Sequence, residues 1–148
     1  MKQLCMWMLA FTVFTSAAQV SFNTGSIQLD TDLNTINARA SADFGAFKTD
    51  MKLSYNVSEK SIEYMTGNLQ MAFGEVYLAL EIARITRKPL NDVLTCYQTN
   101  KNKGWGYIAK QMGIKPGSAE FHQLKNSANS KKGKGASKKK SKGKSKKH

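Results

Sequence analysis

The sequence predicts an all-α fold, a small array of about five or six short helices between a signal peptide and a disordered C-terminal tail. Three observations carry that reading. Apolar residues recur at steps of three and four from Leu29 to Tyr55. The segment Gln70 to Thr86 is apolar on most of its sides, as the central helix of a domain must be. Gly106 to Met112 is followed by Gly113, Ile114 and Pro116, a helix-stop sequence. The chain has 148 residues, enough for one domain.

Residues 1–18 read as a targeting segment. Lys2 supplies a positive start, Leu4 to Phe14 an apolar run, and Ser16-Ala17-Ala18 the small residues before a cleavage point. The run is too short for a membrane span, which needs about 20 apolar residues. An exported protein, periplasmic or extracellular, is expected. Cys5 does not follow the apolar run, which argues against a lipid-anchored N-terminus. Its removal leaves Cys96 without an internal disulfide partner. Cys96 is then a small buried hydrophobe or, if exposed, a thiol able to join two chains.

Residues 19–28 are polar and small and read as flexible; Val20 and Phe22 alternate with polar neighbours over too short a run for a strand. The helical domain spans residues 29–125. Its first stripe is Leu29, Leu33, Ile36, Ala40, Phe44, Phe47, Met51 and Tyr55. Gly45 costs about 1 kcal/mol against Ala inside a helix, so a break is expected there. The stripe suits a core-facing surface and also a coiled-coil seam, so it is one candidate for self-association into a homo-oligomer. Ser58 can cap the next helix, with Glu59 in its first turn, Ile62 and Met65 as its apolar pair, and Gly67 at its end. In the segment Gln70 to Thr86, Val76, Leu80 and Ala83 form one row and Leu78, Ile82 and Ile85 another. Glu75, Glu81 and Arg84 share the remaining polar edge, expected to be solvated. Glu75 and Glu81 lie six apart on different sides of one helix and do not converge as a catalytic pair. Pro89 or Asn91 opens a helix to about Thr99 with Val93, Leu94 and Tyr97 on its apolar face. Asn100 to Lys103 is a basic link.

The most specified stretch is Lys103 to Ser118. Trp105 between Gly104 and Gly106 is a structural anchor, with the two glycines letting backbone pass close to it; the functional alternative is a Trp that stacks on a ligand. Gly113 can close the helix in a left-handed conformation, Ile114 folds back onto it, and Pro116 prevents continuation. Ser118 can cap a last helix from Ala119 to about Asn126, with Glu120 in its first turn and Phe121 and Leu124 docking it. His122, the one histidine of this domain, has no Cys or Asp partner at local spacing and reads as a surface residue. No Cys/His cluster has metal-ligand spacing, so no metal and no cofactor are expected, and nothing marks an enzyme.

Two resemblances enter at these residues. Asn100 to Gly106, Ile108-Ala109-Lys110, Gly113-Ile114-Lys115-Pro116-Gly117-Ser118 and Glu120-Phe121-His122 resemble the C-terminal signature of a family of small exported bacterial proteins of unknown function. That resemblance implies an exported helical protein and no activity. Ile108-Ala109 followed by Met112-Gly113-Ile114 is similar to the first helix and turn of a DNA-binding helix-turn-helix. Lys115-Pro116-Gly117 departs from it, standing where the recognition helix should begin.

Charge is placed unevenly. Gln19 to Ala83 holds four basic and eight acidic residues, Arg84 to Lys125 eight basic and two acidic. Residues 126–148 hold ten lysines and no acid: Lys131, Lys132, Lys134, Lys138, Lys139, Lys140, Lys142, Lys144, Lys146 and Lys147. Such a segment buries too little apolar surface to offset its ordering entropy and is expected to be a disordered tail. Its lysines would bind polyanions by counterion release, with strong salt dependence and little specificity. The expected partner is an envelope glycan, an anionic lipid surface or nucleic acid, with no small-molecule substrate. No aromatic residue is interleaved in the tail for base stacking. The tail could instead only solubilise the protein, or fold over its acidic half.

Overall fold

The computed structural model describes residues 19–133. The expected signal peptide and the tail from residue 134 onward lie outside the described residues. Within them all regular structure is helical, as seven α-helices, one π-helical turn and one 3-10 turn.

Helices α1 (Ile27–Ala42) and α2 (Phe44–Tyr55) carry the long apolar stripe. Leu29, Leu33, Ile36, Ala40, Phe47 and Met51 are buried, while Phe44 and Tyr55 pack partly buried against them. Helices α4 and α7 of the same chain cover much of this stripe, so it is a core surface and not a free seam for self-association. The break falls at Asp43 and not at Gly45. The Asp43 carboxylate accepts the Ala46 N–H at 2.9 Å and so caps α2, which places Gly45 inside the first turn. Ser58 caps α3 (Glu59–Glu63), which runs into a π-helical turn, Tyr64–Asn68; Ile62 and Met65 are fully buried.

Helix α4 (Phe73–Thr86) is the centre of the array and packs against α1, α2, α5 and α7. Val76, Tyr77, Leu78, Ala79, Leu80 and Ile82 are all buried, which is why the segment reads as apolar on most sides. Arg87 ends it in a left-handed conformation, φ 56°. Helix α5 (Leu90–Asn100) follows Pro89 and buries Val93, Leu94 and Tyr97. A 3-10 turn, Lys101–Lys103, leads into α6 (Trp105–Gln111). Helix α6 ends as its sequence predicts. Gly113 has φ 102°, its N–H donates to the Lys110 carbonyl at 3.0 Å, and the Ile114 N–H donates to the Ala109 carbonyl at 2.8 Å. Ile114 is 1 % exposed. The Ser118 hydroxyl accepts the Phe121 N–H at 3.2 Å and caps α7 (Ala119–Gly133).

Three expectations are corrected. Residues 19–26 are a docked strap, not a flexible lead. Phe22 is fully buried, Val20 exchanges hydrogen bonds with the Asn34 amide, and Thr24 donates to Asp30. The strap also serves α6, whose first N–H groups have no partners within their own helix. Trp105 N–H donates to the Phe22 carbonyl and Gly106 N–H to the Asn23 carbonyl, both at 2.9 Å. Second, α7 continues past Asn126 to Gly133, because Ala128 is buried and Lys131 and Lys132 meet carboxylates on α2 and α1. Third, α6 packs on α5, whereas α7 lies mainly against α1 and α4, so α6 and α7 do not form the compact pair of a helix-turn-helix.

Candidate functional site

Trp105 is the junction of strap, α4, α5 and α6. It is 2 % exposed, so it is not a surface that stacks on a ligand. Its ring stacks on Tyr97 with centroids 5.3 Å apart, and its indole N–H donates to Glu75 Oε1 at 3.2 Å. Glu75 Oε2 accepts the Tyr97 hydroxyl at 3.3 Å and the Ala72 N–H at 2.9 Å. One carboxylate therefore closes the start of α4 and fixes side chains from α5 and α6. Burial, together with the Glu75 charge, pushes the Tyr97 hydroxyl up to about 12. The glycines flanking Trp105 are where the strap passes. A Cβ on Gly104 would lie 2.7 Å from Asn23 Cβ, and one on Gly106 would lie 2.9 Å from the Thr24 carbonyl oxygen. Gly113 closes α6, and Pro116 lies in the exposed turn before α7.

The expected solvated edge of α4 divides differently. Glu75 is half-buried, and Glu81 is 2 % exposed. Glu81 accepts from the Tyr55 hydroxyl at 2.6 Å and from Nε and Nη2 of the Arg84 guanidinium. Burial works against its charge, but the hydrogen bonds from Arg84 and Tyr55 outweigh it and hold the carboxyl below the ordinary glutamate value. The pair borders an open cleft of about 570 Å³ between α4 and α7, along which His122 and Ser127 also lie. The Tyr77 hydroxyl there is buried with no hydrogen-bond partner among the described residues. Glu75 and Glu81 serve separate clusters and are not brought together. His122 is exposed, and Cys96 is a free, half-buried thiol.

Of the ten tail lysines, Lys131 and Lys132 are described, and both are used within the fold. Lys131 Nζ pairs with Asp50 at 2.9 Å, reaches the Ser54 hydroxyl at 3.2 Å and lies 5.9 Å from the Tyr55 ring centroid. Lys132 pairs with Asp32, which is fully buried, also accepts from Gln28, and keeps one oxygen, Oδ2, unpartnered among the described residues. Lys134, Lys138, Lys139, Lys140, Lys142, Lys144, Lys146 and Lys147 lie outside the described residues.

Sequence reasoning missed Asp32, Glu75, Glu81 and Phe22 as structural residues. Glu75 alone carried a readable signal, standing three residues after Ala72 where a glutamate can fold back onto a helix start. Among the described residues no group of His, Cys, Asp and Glu could hold a metal ion, and no helix is long and apolar enough to cross a membrane. Comparison of the chain with protein-family models, curated proteins and solved structures finds no match.

Proposed function

We propose that the protein is an exported, non-enzymatic helical module that presents a lysine-rich C-terminal run to a polyanion. An envelope glycan, an anionic lipid surface and nucleic acid all have the required chemistry. The observation that carries this reading is the distribution of charge. Residues 126–148 hold ten lysines and no acid, and the carboxylates paired with this run among the described residues, Asp32 and Asp50, engage only Lys131 and Lys132. The eight lysines that follow Gly133 have no acidic neighbour in sequence. Counterion release from a polyanion then drives association. The non-enzymatic reading is supported by Glu75 and Glu81, whose carboxylates are each engaged by several structural donors.

The test is deletion of residues 134–148, which leaves α7 whole. The shortened protein is expected to elute from heparin and DNA columns at much lower salt, with unchanged helical circular dichroism. Elution of both forms at the same salt concentration would refute the proposal.

A further inference from the structure

We propose that the outward face of α6 is a second anion-binding surface, which takes single-stranded nucleic acid by stacking a base on Tyr107, with Lys103 and Lys110 meeting the phosphates. Trp105, Ile108 and Ala109 turn into the core. At 3.6 residues per turn, Tyr107 and Lys110 then face outward, and both are exposed. Tyr107 is one of few large hydrophobic residues left exposed, at 36 %. Lys103 Nζ sits over one face of its ring, 4.6 Å from the centroid, so a stacking base takes the place of that ammonium or uses the other face. Lys110 stands three residues further on, a neighbour on the same helix face. Lys101 is exposed in the preceding 3-10 turn. None of these lysines has an acidic partner among the described residues, in contrast to Lys48, Lys52, Lys131 and Lys132.

An aromatic ring with lysines on the same helix face and in the preceding turn supplies both halves of single-strand recognition. The ring accepts a base, and the lysines meet the adjacent phosphates. The tail offers only the second half, having no aromatic residue. The platform is also held rigidly. Strap carbonyls fix the start of α6, and the Gly113–Ile114 closure fixes its end. A preordered ring loses less freedom on stacking than one on a mobile segment. Heparin, a sulfated chain without bases, engages the lysines by charge and so serves as the comparison ligand.

The experiment measures binding of the full chain to a fluorescent oligo-dT and to heparin at one salt concentration. Tyr107→Ala is expected to weaken oligo-dT binding about tenfold, leave heparin binding within about twofold, and leave the melting temperature unchanged. Tyr107→Phe keeps the ring and should keep the affinity. Lys103→Gln with Lys110→Gln should weaken both ligands. The proposal is overturned if Tyr107→Ala leaves oligo-dT binding intact, if it weakens heparin equally, or if the double lysine variant changes neither. The deletion of residues 134–148 separates this surface from the tail. If that deletion has no effect while Tyr107→Ala does, the tail reading fails and this one stands.

Discussion

Two junctions fasten the basic C-terminal part of the chain to its acidic first half, and they are built from different physics. At Trp105 a half-buried carboxylate, Glu75, accepts from neutral donors, and a large ring is packed between helices. At the end of α7, Lys131 and Lys132 reach Asp50 and Asp32 with little apolar contact beyond Ala128. The first junction draws on area removed from water, which salt does not screen. The second draws on charge: salt weakens the pair of Lys131 with half-exposed Asp50, and screens much less the pair of Lys132 with fully buried Asp32. The contrast separates a junction set in the core from one that stands beside the lysine run proposed to bind polyanions.

Four predictions test that contrast, the largest effect first. Trp105→Ala removes the ring and leaves Glu75 short of a donor; it is expected to cost about 3–5 kcal/mol in urea unfolding, at low and high salt alike. A loss below 1 kcal/mol would place the stability elsewhere. Lys132→Met leaves Asp32 buried without its cation and is expected to cost roughly 2–4 kcal/mol, with fraying of the helix tip limiting the loss. Adding Asp32→Asn should recover much of it, since the buried charge is then gone; no recovery would mean that Lys132 acts through packing alone.

The pH dependence separates the Trp105 junction from the Glu81 cluster on the same helix. The folded value of Glu81 is depressed, so its contribution is present above about 4.5, the unfolded value, and is lost as pH falls through the folded one. That of Tyr97 is raised, so its contribution is whole below pH 10 and is lost as pH rises through about 12. Melting temperature is therefore expected to decline at both extremes, and Tyr97→Phe should flatten the alkaline limb. An alkaline limb unchanged in that variant would remove the Tyr97–Glu75 contact from the account. The smallest effect is that of Lys131→Ala. Its pair with half-exposed Asp50 is worth at most about 1 kcal/mol, and less in 0.5 M salt.

The helices were legible in the sequence to the extent that their rules are local. The stripe from Leu29 to Tyr55, the Ser58 and Ser118 caps and the Gly113–Ile114 closure each depend on residues within one or two turns. The break at Asp43 was misplaced by two residues because an acceptor at a helix start decided it, not a weak helix former within the run. The strap was not legible. Its polar residues find partners in Asn34 and in the N–H groups of α6, which no local pattern announces. Gly74 shows the same dependence, since a Cβ there would lie 2.5 Å from the Phe22 ring.

By itself the sequence determined that the domain is helical, how α6 closes, which serines cap α3 and α7, and that positive charge gathers after Gly133. Periodicity, caps and composition act within a few residues, so no distant partner is needed to read them. Only the tertiary structure decided which polar side chains are buried. The bonds concerned join Trp105 to Glu75 across 30 residues, Lys131 to Asp50 across 81 and Lys132 to Asp32 across 100. A carboxylate becomes structural when folding removes its water and delivers a donor in return, and the chain's order does not say where that happens.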